Sequence, residues 1–231
     1  MIFNPVIYAP KPSFPANFAG ATWEQIIEAC QNNAVPDTWV ADGSCYKDME
    51  INGTNYRIDI IGKNHDDYAD GSGKAPLTFQ MHDCYGTTYQ MNSSNTNSGG
   101  WNSCAMRNTH LPAILNLMPA EVKAAIKEVQ KKTSAGSQSS SIQTTNDKLF
   151  LLSEIEIFGN TTYSFAGEGT QYAYYQAGNS KVKNLSGSAN TWRERSPSSS
   201  GSSAFCNVNS GGNAYTVNAG TSGGVAFGFC F

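Results

Sequence analysis

Trp192-Arg193-Glu194-Arg195-Ser196-Pro197, then Phe205-Cys206-Asn207-Val208, then Gly224-Val225-Ala226-Phe227-Gly228-Phe229-Cys230-Phe231 are the anchors that divide the end of the chain, and the fold turns on them. Between Ser196 and Gly224, 20 of 29 residues are Ser, Gly, Asn or Thr, and no charged residue follows Arg195. Alone, such a stretch would stay unfolded, because it buries too little apolar surface to offset the entropy of ordering it. The apolar run that closes the chain argues otherwise. The expected arrangement is a set of loops and short strands with small polar side chains, pinned into a sheet at both ends.

Upstream, Thr22-Trp23-Glu24-Gln25 has the spacing of a capping box, and Trp23, Ile26, Ile27 and Cys30 then share one face of a short helix. Residues 47–61 alternate apolar and polar around Asn52-Gly53, the strongest short-range hairpin signal. Leu77-Thr78-Phe79-Gln80-Met81 reads as a buried strand. Trp101–Leu117 reads as a helix, with Ser103 as cap and Pro112 as the point where it must bend or restart. Met118-Pro119-Ala120-Glu121 opens another, whose period runs through Val129 and whose C-terminal end is favoured by Lys127, Lys131 and Lys132. Residues 133–146 are expected as a mobile surface loop, and Lys148–Gly159 as a strand leaving the core. The order is that of an α+β fold. Residues 1–20, with four prolines, are expected as an extended arm, and residues 21–231 as one domain.

Composition narrows the function. Lys and Arg number 15, Asp and Glu 18, and charged residues make up 14% of the chain against about 25% in average domains. The surface must therefore be wetted by neutral polar groups. No Lys/Arg run supplies the footprint that nucleic acid requires. No stretch is apolar enough for a membrane span, and the N-terminus lacks the pattern of a secretory signal, so neither membrane insertion nor Sec export is expected. The six cysteines contain no C-x-x-C pair and are expected as buried thiols.

Several motifs in one order carry a resemblance. Trp101-x-x-Cys104-Ala105-Met106-Arg107, Leu151-Leu152-Ser153-Glu154-Ile155-Glu156, Gly167-Glu168-Gly169-Thr170-Gln171-Tyr172, Arg195-Ser196-Pro197, Phe205-Cys206-x-Val208 and Gly224–Cys230 together resemble the DUF6273-type domains of gut bacteria and their phages. The resemblance covers residues 20–231. It implies a C-type-lectin-like fold related to that of formylglycine-generating enzymes, with small twisted antiparallel sheets and two to three helices. It also implies kinship with the variable proteins of diversity-generating retroelements, in which a reverse transcriptase rewrites adenines of a C-terminal repeat, here about residues 191–231.

The resemblance implies template repeats rich in Asn codons of the AAY type, in which adenine changes at the first two bases yield Ser, Thr, Gly, Ala, Val, Tyr, Asp, His and a few others but never Lys, Glu or Trp. Under that resemblance Ser198, Ser200, Ser203, Ala204, Asn207, Asn209, Ser210, Gly212, Asn213, Tyr215, Thr216, Val217, Gly220, Ser222 and Gly223 are the variable ligand-binding positions. Phe205, Cys206, Val208, Val225, Phe227 and Phe229 are the framework between them. Ser, Gly, Asn and Tyr suit adaptable recognition, as in antibody paratopes. The function implied is binding of a host-surface protein or glycan by a phage tail or bacterial surface assembly, with a homo-oligomer or virion proteins as neighbours. The rivals are a copper-using oxidase on the same fold and a purely structural virion component.

No catalytic residue, metal or cofactor is assigned. Asn64, Asp66, Asp67, Asp70 and Ser72 depart from the spacing of an EF-hand loop and read as a turn. His65, His82 and His110 match no zinc pattern. Gly167-Glu168-Gly169 is a turn, not a phosphate loop. Arg195 is expected to bind loop carbonyls or a buried acid such as Glu154 or Glu168, and Trp192 to pack beneath the loops.

Overall fold

The computed structural model describes residues 13–231, so most of the expected N-terminal arm, residues 1–12, lies outside the described residues. Packing begins before residue 21. Phe18–Gly20 forms a 3₁₀ turn, and the buried Phe18 ring meets Trp39 edge-on at 5.2 Å and stacks on Phe79 at 6.3 Å. Helix α1, Trp23–Gln31, starts where the capping box places it: Thr22 Oγ1 accepts from the Gln25 amide, and Gln25 Oε1 from the Thr22 amide.

Strands β1, Tyr46–Ile51, and β2, Thr54–Lys63, form the expected hairpin. Asn52 and Gly53 turn it with φ of +51° and +78°, the double left-handed conformation that a two-residue primed turn requires. Strand β3, Leu77–Met81, is buried at all five positions.

The middle of the chain departs from its reading in three places. The expected helix Trp101–Leu117 is broken into α2, Gly100–Ser103, a π-helical turn Met106–His110, and α3, Leu111–Leu117, with Pro112 in its first turn. Ser103 ends α2 instead of capping a helix; Gly99, at φ +77°, precedes it. Gly100 must be glycine, because a Cβ there would lie 2.1 Å from the Ser134 carbonyl oxygen.

Helix α4, Ala120–Ala125, stops short of Val129. Lys131 and Lys132, read as its C-terminal charges, lie instead on β4, Val129–Gly136, which pairs with β5, Ser139–Asp147, where a mobile loop was expected. The reason is that the inward positions of this hairpin, Lys131, Thr133, Thr145 and Asp147, are polar and satisfied by partners inside the protein. An apolar-polar alternation never appears in the sequence.

Finally, the run Lys148–Gly159 is strand only at β6, Leu149–Phe150, and then becomes α5, Glu154–Phe158. Ser153 and Glu156 form a second capping box, and buried carboxylates at positions 154 and 156 imitate the alternation of a strand.

A last short helix, α6, Ala173–Gln176, and the hairpin of β7, Lys183–Leu185, with β8, Ser188–Asn190, lead into the C-terminal third. There β9, Trp192–Pro197, β10, Ala204–Val208, and β11, Ala214–Asn218, form a three-stranded antiparallel sheet in the order β11-β10-β9. Strand β12, Gly228–Cys230, returns to the main sheet, whose order is β1-β2-β3-β12-β6. The chain's end is thus an inner strand: Phe229 faces Phe79 of β3 on one side and Leu149 of β6 on the other. Phe79, Phe229 and Phe231 pack as a cluster with centroids 5.1 to 5.6 Å apart, each such pair contributing about 1 kcal/mol beyond its buried area.

The fold is therefore a mixed α/β domain of small antiparallel sheets with six short α-helices among the described residues, more than the two or three expected. None of those helices is long and apolar enough to cross a membrane.

Candidate functional site

Strands β9 and β12 hold a closed excursion. Trp192 bridges Gly224; the Arg193 amide donates to the Gly224 carbonyl at 2.9 Å, and the Gly224 amide to the Thr191 carbonyl at 3.0 Å. The polar segment leaves the core and returns to it at one point. A Cβ on Gly224 would lie 2.5 Å from Cys84 Sγ, so this junction tolerates no side chain. Below it Trp192 is buried, as expected, with its indole N–H donated to the Lys181 carbonyl.

A loop that the sequence-based reading leaves out of the site straps the excursion down. The Asn97 side chain, fully buried, donates to the carbonyls of Gly201 at 2.9 Å and Ala204 at 2.8 Å, and accepts from the Ser137 amide at 2.8 Å. One amide thereby joins the β9–β10 loop to the turn of the β4–β5 hairpin. Asn95 Oδ1 accepts from the Gly220 amide, Met91 donates to the Ala219 carbonyl, and Tyr89 bridges Gly223. In the sequence this loop is only a second polar stretch, and no spacing marks Asn97.

Arg193 works from beneath. Its guanidinium, with no exposed surface, donates to the carbonyls of Val217, Asn218 and Thr221, fastening the end of β11 and the loop that follows. No carboxylate pairs with it among the described residues, and burial alone lowers its pKa to about 10.

The fifteen candidate positions divide into three groups. Ser200, Ser210, Asn213, Tyr215 and Ser222 are exposed, Tyr215 most usefully at 52%. Ser203, Ala204, Asn209, Gly212, Thr216, Val217 and Gly220 are half-buried. Ser198, Asn207 and Gly223 are buried and offer no surface to a partner. Asn207 is the neighbour of Arg193 across the sheet, and a Cβ on Gly223 would lie 2.8 Å from Arg193 Nε. These three belong with the framework. Asn209 is partly committed as well, since its Oδ1 accepts from the amides of Gly211 and Asn213 and shapes the β10–β11 turn.

The surface positions form a strip instead of one compact patch. Ser200, Ser203, Ala204, Gly220 and Ser222 gather where the β9–β10 and β11–β12 loops meet, and Asn209–Asn213 lie at the opposite end of the sheet. Edge strand β11 joins the two clusters over roughly 16 Å. Tyr215 and Val217 project from one face of it and Thr216 from the other, and its outer edge pairs with no strand among the described residues.

On the β9 side of this sheet, across β10 from the strip, lies a buried ionic network. Arg195 is held bidentately by Glu156 and donates to the carbonyls of Leu151, Lys132 and Glu168. Loop carbonyls are among its expected partners, but the acid is Glu156, placed by α5, and not Glu154 or Glu168. Glu156 also receives Lys131, which reaches on to Asp66. Burial opposes ionisation of Asp66, yet Lys131 overrides it and holds the carboxyl down at about 2.

Three further carboxyls, Glu154, Glu168 and Glu194, share this interior. Glu154 accepts from the amides of Tyr163 and Ser164 and from the Ser164 hydroxyl. Glu168 accepts from the Ser134 amide and the Ser196 hydroxyl, but burial still raises its pKa to about 7. Neither oxygen of Glu194 has a hydrogen-bond partner among the described residues, and burial beside Glu154 and Glu168 drives it well above the usual carboxylate range.

The other singled-out residues have local roles. Asp66 faces inward to Lys131 and Thr78, while Asp70 caps a turn at Ser72. His82 pairs with Asp59, His65 stacks on Tyr172, and His110 stacks on Tyr89. All six cysteines are buried free thiols. Among the described residues no group of three or more His, Cys, Asp or Glu side chains is arranged to hold a metal ion.

The chain belongs to the DUF6273 family, a domain of unknown function whose match spans residues 75–228. That span runs from the buried strand β3 to the first residue of β12 and includes the strap loop, most of the ionic network and the whole excursion. No curated protein and no solved structure matches the chain.

Proposed function

We propose that this protein is a binding module of C-type-lectin-like type whose C-terminal excursion presents an exchangeable surface to a ligand, a host-surface protein or glycan, on a phage tail or bacterial surface. The observation that carries this reading is the sorting of side chains within one segment. Twelve of the fifteen small or polar positions reach the surface, while Trp192, Phe205, Cys206, Val208, Val225, Phe227 and Phe229 between them are buried. A backbone fixed from below by Arg193, Asn97 and apolar framework residues tolerates exchange above, the usual relation between a rigid scaffold and its recognition loops. Ser and Asn supply adaptable hydrogen bonds, and Tyr215 supplies amphipathic area at little entropic cost.

The oxidase reading finds less support. Cys206 and Cys230, the thiols that a copper chemistry would recruit, are both buried and pushed well above the ordinary thiol range, chiefly by burial. A reactive thiol needs access and a lowered pKa.

Two measurements test the proposal. A near-copy of the 3′ coding region that differs only opposite adenines, next to a reverse transcriptase gene, is the expected genomic setting; a locus without either removes diversification. Randomising Tyr215, Thr216 and Val217 is expected to change what the displayed domain captures from host surfaces. Capture that is indifferent to those positions would reduce the strip to a spacer.

A further inference from the structure

Lys131 on β4, Asp66 in the β2–β3 connection and Glu156 on α5 meet in the interior, at 1%, 5% and 2% exposure. Lys131 Nζ lies 2.7 Å from Asp66 Oδ1 and 2.9 Å from Glu156 Oε1. The Phe150 ring covers Nζ at 4.1 Å and the Tyr172 ring at 5.4 Å. Asp66 Oδ2 accepts from Thr78 Oγ1 at 2.6 Å; the Tyr172 hydroxyl lies 3.0 Å from both carboxylate oxygens and 2.9 Å from Nζ. An amine, a carboxyl group, a second carboxylate on the same amine and two hydroxyl donors on the carboxyl group are thus held together away from solvent.

An ion pair alone leaves this cluster poorly accounted for. Glu156 already has a bidentate partner in Arg195, so these two form a neutral pair without Lys131. Lys131 and Asp66 are then two further ions in a dry interior, where desolvation offsets most of what their attraction contributes. Joining them covalently removes both charges and leaves Arg195 and Glu156 balanced.

We propose that Lys131 and Asp66 condense into an intramolecular amide, with Glu156 carrying a proton between them. The ammonium gives one proton to Asp66 Oδ1 along the 2.7 Å contact, and the freed Nζ lone pair attacks Asp66 Cγ. The nitrogen, now positively charged, passes a second proton to Glu156 across the 2.9 Å contact. Glu156 hands that proton to the departing Oδ1 as the Cγ–Oδ1 bond breaks, and the oxygen leaves as water. One N–C bond forms, one C–O bond breaks, the two protons lost by the ammonium leave in the water, and no oxidant is needed. Thr78 and Tyr172 donate to Oδ2, where negative charge develops. Tyr172 can hold this role because burial keeps its hydroxyl protonated. The resting ion pair opposes reaction, since Lys131 and Asp66 both favour their charged forms. Against this stands the fixed contact, which replaces a bimolecular encounter and corresponds to effective molarities on the order of 10⁵ M or more. Excluded water also denies the product its reverse reaction.

The test is intact mass measurement of the purified full chain, followed by fragment mapping. The expected result is a species one water lighter than the sequence, with its deficit mapped to a linkage between the peptides of Asp66 and Lys131. Lys131→Arg is expected to restore the full mass, and Glu156→Gln to slow accumulation by about 100-fold. Asp66→Asn is expected to lose ammonia in place of water. If the wild-type chain keeps its full mass after prolonged incubation, the proposal is overturned. A deficit that maps elsewhere, as a succinimide would, also overturns it. The wild-type measurement suffices by itself, so the outcome does not depend on whether every variant folds.

Discussion

The network around Arg195 and the strip along β11 are built on opposite plans, although a single strand, β9, borders both. Among the described residues eleven charged side chains are buried, including Asp66, Lys131, Glu156, Glu168, Glu194 and Arg195. The strip carries none. Most proteins put charge outside and neutral residues inside; here the interior beside β9 is ionic and the surface of the candidate site neutral. This contrast locates the specificity of the fold. A buried charge is tolerated only with particular partners at particular distances, so the network permits few alternatives. Small neutral side chains at a solvated edge permit many.

The largest effect should come from breaking the network. Arg195→Met leaves Glu156 short of one cation and orphans the Leu151 and Glu168 carbonyls, and should lower unfolding free energy by about 3–5 kcal/mol, measured by urea denaturation. A loss within ~1 kcal/mol would show that the interior charges tolerate change as the strip does.

Acidity should divide the two regions next. Glu168 has its folded pKa raised by burial to about 7 from an ordinary value of 4.5, so the unfolded chain gives up its proton first as pH rises. The stability from this group is complete below the unfolded value and is lost as pH climbs through the folded one, amounting to about 3 kcal/mol. Glu194 is shifted in the same direction. Asp66, for as long as its carboxylate is not joined to Lys131, works oppositely, its contribution disappearing as pH falls toward about 2. The urea midpoint should therefore be higher at pH 5 than at pH 7.5, and Glu168→Gln should flatten that fall. An unchanged slope in the variant would remove Glu168 as its cause.

Arg193 lies between the regions and marks where one gives way to the other. Arg193→Met should release the carbonyls of Val217, Asn218 and Thr221 at a cost of about 2 kcal/mol. Amide hydrogen exchange should then quicken at residues 217–223, while β3 and β12 keep their protection. Equal acceleration in both places would mean that Arg193 supports the whole core.

The smallest effect belongs to the strip. Replacing Thr216 or Tyr215 by Ser or Asn should shift stability by no more than ~0.5 kcal/mol each, read as melting temperature, even where capture of a target changes. A larger loss would place β11 in the framework.

Local structure was legible where the chain declares it locally. Thr22-x-x-Gln25 capped α1, Asn52-Gly53 turned the first hairpin, and the terminal apolar run became β12. The signals failed where polar residues face inward. Lys131 looked like the end of a helix and is a buried residue of β4; Glu154 and Glu156 looked like strand alternation and are the buried first turn of α5. Periodicity assumes that polar means exposed, and this interior breaks the assumption. For the same reason Asn207, Ser198 and Gly223 passed as surface positions.

Residue types alone set the division at the chain's end, an apolar framework interleaved with neutral polar positions after the last charge at Arg195. Burial of aromatic side chains needs no particular partner, so it can be read from composition and order. Folding in three dimensions chose which acid holds Arg195, tied down the excursion through Asn97 and Arg193, and laid its surface out as a strip along an edge strand. Hydrogen bonds and ion pairs depend on directions and distances between residues far apart in the chain, and those exist only after it has folded.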